Sequence, residues 1–262
     1  MITTDQVVSA SFGWLRLVSA SFDRVTAPAM PRTVLAELGD AEARVLDHLQ
    51  SVGNEKWAAE PSGLPDWTRG HVVGHLAGNA EGLQNLVTWV ETGEITPMYP
   101  SRGARAAEIE RRSQLPWTDL LDEFRSLSAD LTSRLEAAEG PLRVREVTLG
   151  SGSGVEAWEL PAVRMREVEI HHVDLADGYR ATDWPDTFVL RTLSRLTPFF
   201  ESRRDVPIST MRATDTGRAW SVGSGPDLLG TEADLLAWLL GRAHDPVRSS
   251  DGSPPPTAPP WV

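Results

Sequence analysis

The chain has 262 residues, 40% apolar and 24% charged, a globular balance that excludes wholesale disorder and is long enough for two compact domains. A formal charge of −12 argues against nucleic acid or an anionic membrane as partner, and no apolar run approaches the roughly 18–20 residues of a membrane helix. Cysteine is absent, which excludes disulfides, thiolate metal ligands and a cysteine nucleophile, so any thiol chemistry must borrow its thiol.

Residues 1–32 lack the basic start and apolar core of a secretory signal, so the chain is expected to be cytoplasmic and this stretch is an extension with no assigned role. Within it, residues 12–18 have the makings of a short amphipathic helix. From Thr33 the pattern turns helical: Leu35, Leu38, Ala41, Val45, Leu49 and Val52 recur at three- and four-residue steps. A second helix is predicted to start after Thr68, as N-cap, and to run to about Glu91. Residues 92–100 read as a long loop and 104–112 as a short helix. Trp117, Leu120, Leu121, Phe124, Leu127, Leu131 and Leu135 make a third stripe. A Gly/Ser-rich stretch over 140–159, with a small hairpin around 151–154, leads to a fourth helix over 161–176, which tolerates Pro161 in its first turn. Residues 33–178 therefore predict a four-helix bundle.

Residues 179–262 read as a smaller α+β domain. Its expected parts are a helix over 186–201, a β-rich stretch over 207–222 turning at Asp215-Thr216-Gly217, and a helix capped by Thr231 with Asp234 three residues on. That helix should end at Gly241-Arg242, ahead of a proline-rich tail that is neither helix nor central strand.

The chemistry concentrates on the fourth helix. With Val163 as origin and about 100° per residue, Leu160, Glu167, Ile170, His171 and Asp174 fall at roughly +60°, +40°, −20°, +80° and +20°, while Glu169 and His172 fall near the opposite face. Glu167 thus shares the core-facing stripe and must be neutralised by a proton, a cation or a metal. Glu167-x3-His171 places two donors one turn apart. A third should come from another helix, and His71 and His75 are the candidates, one turn apart on the second helix. His75 lies nearer that helix's apolar face beside Asn79, and His71 reads as an exposed or capping residue. Three nitrogen and oxygen ligands leave an open position, as in catalytic rather than structural zinc sites, and Asp174 could fix an imidazole tautomer behind them. A hydrogen-bonded network with no metal satisfies the same pattern. Lys56 is the only lysine, so the cations that could grip an anionic ligand are arginines.

Three segments carry a resemblance: Leu64-Pro65-Asp66-Trp67-Thr68-Arg69-Gly70-His71-Val72-Val73-Gly74-His75-Leu76-Ala77, Trp89-Val90-Glu91-Thr92-Gly93-Glu94-Ile95-Thr96-Pro97-Met98-Tyr99, and Arg166-Glu167-Val168-Glu169-Ile170-His171-His172-Val173-Asp174-Leu175. Together they resemble the mycothiol-dependent maleylpyruvate isomerase family from about Thr33 onward. The resemblance implies a DinB-like four-helix bundle followed by a sterol-carrier-protein-like domain. It implies zinc held by His75, Glu167 and His171, and a functional arginine at Arg242. The implied reaction is cis–trans isomerisation of the dicarboxylate 3-maleylpyruvate to 3-fumarylpyruvate in gentisate breakdown, with mycothiol bringing the thiol, and the expected protein is a monomer. Two other readings stay open: mycothiol S-transfer onto another electrophile, and a non-catalytic small-molecule carrier using the C-terminal domain.

Overall fold

A computed structural model describes residues 32–138, 146–242 and 247–259. The expected segment at 12–18 and the residues His244-Asp245-Pro246 that follow Arg242 lie outside the described residues. The chain divides into two compact units, Met1–Ala176 and Asp177–Val262.

In the first unit the chain runs α1 (Arg32–Val52), α2 (Glu55–Ala59), α3 (Arg69–Thr92), α4 (Arg102–Ser113), α5 (Trp117–Ala137), β1 (Glu146–Thr148), β2 (Gly154–Glu156) and α6 (Leu160–Asp174). The helices α1, α3, α5 and α6 form the expected bundle. Leu38, Val45 and Leu49 of α1, Leu76, Leu83 and Leu86 of α3, and Phe124, Leu131 and Leu135 of α5 are buried in its core. Local chemistry sets the helix ends. The Asn54 side chain accepts from the backbone N–H groups of Lys56 and Trp57 and starts α2, a helix the periodicity did not announce. Thr68 caps α3 as expected, with His71 completing the capping box, and α3 stops at Gly93 in the left-handed region at φ 79°. The expected hairpin forms as β1 against β2, with Val147 opposite Val155.

One buried cation joins the four long helices. Arg164 of α6 is fully buried and donates to Glu42 of α1 (2.9 Å), the Leu76 carbonyl (2.8 Å) and Asn79 (3.0 Å) of α3, and Ser128 of α5 (2.9 Å). Glu42 also accepts from Thr132 at 2.9 Å. The short helix α4 approaches α3 along a glycine stripe. A Cβ on Gly74 would lie 2.8 Å from the Arg112 Cβ, and one on Gly82 would lie 2.9 Å from the Met98 Cγ, so neither position has room for a side chain.

The second unit holds α7 (Asp186–Glu201) and α8 (Glu232–Leu239) with a four-stranded sheet, in order β4-β3-β5-β6. The strands are β3 (Thr210–Ala213), β4 (Ala219–Ser221), β5 (Leu228–Gly230) and β6 (Arg248–Ser249). The β3–β4 pair is antiparallel around the expected turn, where Gly217 adopts φ 74°. The β3–β5 pair is parallel, with Met211 opposite Leu228, and β5–β6 is antiparallel. Thr231 and Asp234 cap α8 as expected. The proline-rich tail is extended, and the Pro256 carbonyl accepts from the Trp238 indole at 2.7 Å. The chain is thus a helical bundle followed by a small α+β unit, the fold class expected. No helix among the described residues is long and apolar enough to cross a membrane.

Replacing Arg164 with alanine leaves Glu42 and Asn79 facing a cavity. Removing one partner of a buried ion pair costs roughly 3–5 kcal/mol. We expect that loss in chemical denaturation of Arg164→Ala; a change below ~1 kcal/mol, the worth of a surface ion pair, would show that the buried pair is not what ties the helices together.

Candidate metal centre

His75 lies one and a half turns into α3, and Glu167 and His171 lie one turn apart on α6. The fold brings all three together, their ligand atoms lying within 4.8 Å of one another. His75 Nε2 is 3.0 Å from Glu167 Oε2 and 3.0 Å from His171 Nε2, and His171 Nε2 is 3.6 Å from Glu167 Oε2. The two imidazoles meet edge to face with ring centres 4.5 Å apart, and Trp67 packs against His75 at 5.8 Å. Both histidines are buried, and the Glu167 side chain is 15% exposed.

Hydrogen bonds behind the cluster decide what each donor can do. Asp174 accepts from His171 Nδ1 at 2.9 Å, which fixes a ring proton there and turns Nε2 toward Glu167 and His75. Burial lowers the His171 pKa, but its bonds to Asp174 and Glu167 outweigh that and carry it upward. Burial likewise raises the Glu167 carboxyl, and hydrogen bonds from His171 and His75 overcome it and hold the group below the usual carboxylate range. His75 is pushed down to about 3 by burial, with the charges of His171 and Arg105 acting the same way. The set is therefore an ionised carboxylate facing two imidazole Nε2 atoms, and a divalent cation would bind there by displacing the Nε2 protons now directed at Glu167. His75 fits with one adjustment, because its Nδ1 accepts from the Arg105 guanidinium at 3.0 Å and the neutral ring then carries its proton on Nε2.

His71 has a different role, closing the α3 capping box and reaching Glu110 at 3.1 Å. His172 and Glu169 do fall on the face away from the cluster, as expected, but that face is not open to solvent. Both are buried against α1, where His172 Nε2 lies 2.8 Å from His48 Nδ1 and Glu169 pairs with Arg44. The cause is that α6 is an interior helix, packed against both α1 and α3, so it has two buried faces and no solvent face for polar residues to mark. Arg242 sits in the second unit just past α8, its guanidinium donating to the Leu240 carbonyl at 2.7 Å.

A cavity of about 620 Å³ opens beside His75, within the range of small-molecule sites, and is lined by Gly78, Gly82, Asn85, Met98, Tyr99 and Arg105 among others. The sequence reading passed over Arg105 and Tyr99. Arg105 is buried on α4 at the head of an i, i+4, i+7 stripe with Ile109 and Arg112, and two arginines in three inward positions conceal it. An arginine one turn before an isolated isoleucine on a short helix was the available signal.

Comparison with known proteins adds three findings. The family model described as the mycothiol maleylpyruvate isomerase N-terminal domain matches residues 21–176. A crystal structure of the mycothiol-dependent maleylpyruvate isomerase is similar at a TM-score of 0.80 and 28% identity, over 87% of this chain and 95% of that one. A histidine-to-alanine mutant of that isomerase is similar at a TM-score of 0.79, with the same identity and coverage. No curated protein matches.

The buried histidines fix how the bundle responds to acid. His172, like His75, is held down to about 3, by burial and then by His48 and Arg44. An unfolded imidazole titrates near 6.5, so between these values the unfolded chain binds more protons and stability rises with pH. His171, carried upward, acts in the opposite sense but is common to wild type and variant. We therefore expect metal-free protein to lose less stability between pH 7 and pH 5 when His172→Asn is introduced, about pH values that bracket the free imidazole. Denaturation midpoints at the two pH values measure this, and equal losses in both proteins would contradict it.

Proposed function

The chain belongs to the mycothiol maleylpyruvate isomerase N-terminal domain family, and on that footing we propose that it is a zinc- and mycothiol-dependent isomerase converting 3-maleylpyruvate to 3-fumarylpyruvate, the cis–trans step of gentisate breakdown. The observation that carries the reading is the convergence of His75, Glu167 and His171 within 4.8 Å at the edge of a cavity of substrate size. Those three residues would hold the zinc. The reaction needs a carbon–carbon double bond to become single long enough to rotate. Mycothiol supplies the sulfur nucleophile for a reversible addition, which a chain without cysteine cannot provide itself. Bound zinc supplies Lewis acidity that lowers the pKa of a thiol or polarises a carbonyl.

The chain's own residues do the rest. Asp174 holds a proton on His171 Nδ1, so that Nε2 is the atom that would give its lone pair to zinc. Glu167 stays ionised and contributes the negative charge of the ligand set. Trp67 and the buried rings around His75 keep bulk water from that side of the cluster. Arg242 is the catalytic arginine of this reading, a planar cation suited to a substrate carboxylate in a chain of net charge −12. Chemistry that borrows a thiol suits a reducing compartment, and the proposed setting is the cytoplasm.

Elemental analysis tests the metal. We expect near-stoichiometric zinc in wild type and His172→Ala, and a loss of roughly tenfold or more in occupancy affinity for His75→Ala, Glu167→Ala and His171→Ala. Full zinc in the Glu167→Ala and His171→Ala proteins would remove the assignment.

Loss of maleylpyruvate absorbance tests the reaction. Dialysed enzyme should be inactive until mycothiol is added, and Arg242→Ala should keep its zinc while losing most of kcat/KM. Full turnover without any thiol would end the proposed chemistry, and wild-type kinetics for Arg242→Ala would end its role.

A further inference from the structure

The cavity beside His75 has room for more than a short dicarboxylate, and part of its wall is an ion-pair network drawn from α3, α4 and α5. Glu81 follows His75 on α3 and stands about 9 Å further along the helix axis. Arg112 is the centre of the network. It is 3% exposed and binds Glu81 at 2.6 Å and Glu123 at 2.9 Å, with Glu108 at 3.7 Å. Arg111 joins Glu108 at 2.8 Å and Glu123 at 3.2 Å. Helix α3 makes the room for Arg112. A Cβ on Gly78 would lie 2.8 Å from its Nη1, and one on Gly74 would lie 2.8 Å from its Cβ. Glycine is a poor helix former, so α3 gives up helix propensity at two positions to seat this cation.

Each carboxylate meets the arginines through one oxygen: Glu81 and Glu108 through Oε2, Glu123 through Oε1. The second oxygen of each has no protein partner among the described residues. Asn85, in the same cavity wall, donates through Nδ2 to the Met98 carbonyl at 3.3 Å, which leaves its Oδ1 as a further acceptor. The wall as a whole is balanced in charge, with Glu81, Glu108 and Glu123 against Arg105, Arg111 and Arg112. It therefore offers acceptors at positions fixed by ion pairs, with no net charge to attract an ion. Hydroxyl groups suit such a surface, since each donates one hydrogen bond and accepts others without bringing charge. A ligand carboxylate would meet the same open oxygens with like charge.

We infer that Glu81, Glu108, Glu123 and Arg112 form a thiol-selecting subsite, which takes the neutral, hydroxyl-rich sugar portion of mycothiol and refuses a thiol that carries carboxylates. Selection then comes as much from the repulsion as from the fit. The identity of the thiol rests on the isomerase reading, whereas the polarity of the wall does not.

S-methyl mycothiol and S-methyl glutathione are the probes, because a capped sulfur cannot act as a thiolate ligand. Titration calorimetry on full-length protein is the readout. Wild type should bind S-methyl mycothiol roughly tenfold or more tightly than S-methyl glutathione. The double variant Glu81→Gln/Glu123→Gln keeps the side-chain volume and removes two charges. It should weaken S-methyl mycothiol by roughly fivefold or more and strengthen S-methyl glutathione by about threefold or more. Opposite signs are the mark of selection, since a merely structural disturbance weakens both. The Glu81 and Glu123 side chains are 54% and 27% exposed, so the substitutions sit at the solvent edge of the network. The thermal midpoint checks the fold, and Glu81→Gln alone should give the same signs at smaller amplitude. No binding of S-methyl mycothiol to wild type, or equal affinity for wild type and variant, overturns the subsite. Equal affinity of wild type for the two probes, or a loss of both in the variant, overturns the selection. Selective, carboxylate-dependent binding in a protein that never isomerises maleylpyruvate supports the subsite and removes the isomerase reading instead. Mycothiol-dependent isomerisation with an unchanged KM for mycothiol in the variant does the reverse.

Discussion

The bundle is organised around the desolvation of a single guanidinium. Arg164 is fully buried, and a buried cation persists only where its donors are satisfied and its charge is matched. Glu42, the Leu76 carbonyl, Asn79 and Ser128 meet that demand, and they lie on three different helices. The geometry that satisfies Arg164 is therefore also the geometry of the bundle. Leu76 adjoins His75, and Arg164 lies one turn before Glu167. A slip of α3 against α6 would break the Arg164 bonds to Leu76 and Asn79 as it separated the metal-ligand candidates, so the structural network helps hold the chemical one in register.

The polar interior has a second layer on the other side of α3. Glycines at four-residue steps let α4 and the Met98-Tyr99 loop approach the helix backbone, which brings Arg105 up to the back of His75. Bulkier residues on that face would have closed the cavity and moved the cation away. An acidic chain thereby keeps a local concentration of arginines at the cavity, and most of them are balanced by glutamates on the rim.

Helices with one apolar face were legible in the sequence. The stripes of α1 and α5 and the Thr68 and Thr231 caps are local signals, and each stands where periodicity and capping chemistry put it. Residues whose environment comes from several helices were not. On α6, the arithmetic gathered Glu167, His171 and Asp174 on one face and set Glu169 and His172 on the other, but a period says which residues share a side and not how many sides are covered. Arg105 was hidden for a related reason: an inward arginine looks like a surface arginine until the neighbouring helix is in place. The strands β5 and β6 are three and two residues long, too short to show alternation, and the parallel pairing of β5 with β3 is a tertiary fact.

The carboxyl end of α6 is tied down by the segment leading into α3. Gly63 donates its N–H to the Asp174 carbonyl at 2.7 Å, while Arg69 donates to the carbonyls of Leu175 at 2.9 Å and Ala176 at 3.2 Å. Helix ends normally fray fastest, and their amides exchange with solvent first. Here the end carbonyls, which have no partner within the helix, are held from outside it, and that anchors the last turn. An ion held between His75 and His171 would therefore meet a helix end that resists unwinding. Its way out would be rotation of the side chains on the side where Glu167 meets solvent. Slow amide exchange at 170–175 alongside a faster-exchanging ion would be the kinetic mark of that arrangement, with the backbone as a fixed frame and the carboxylate as the door.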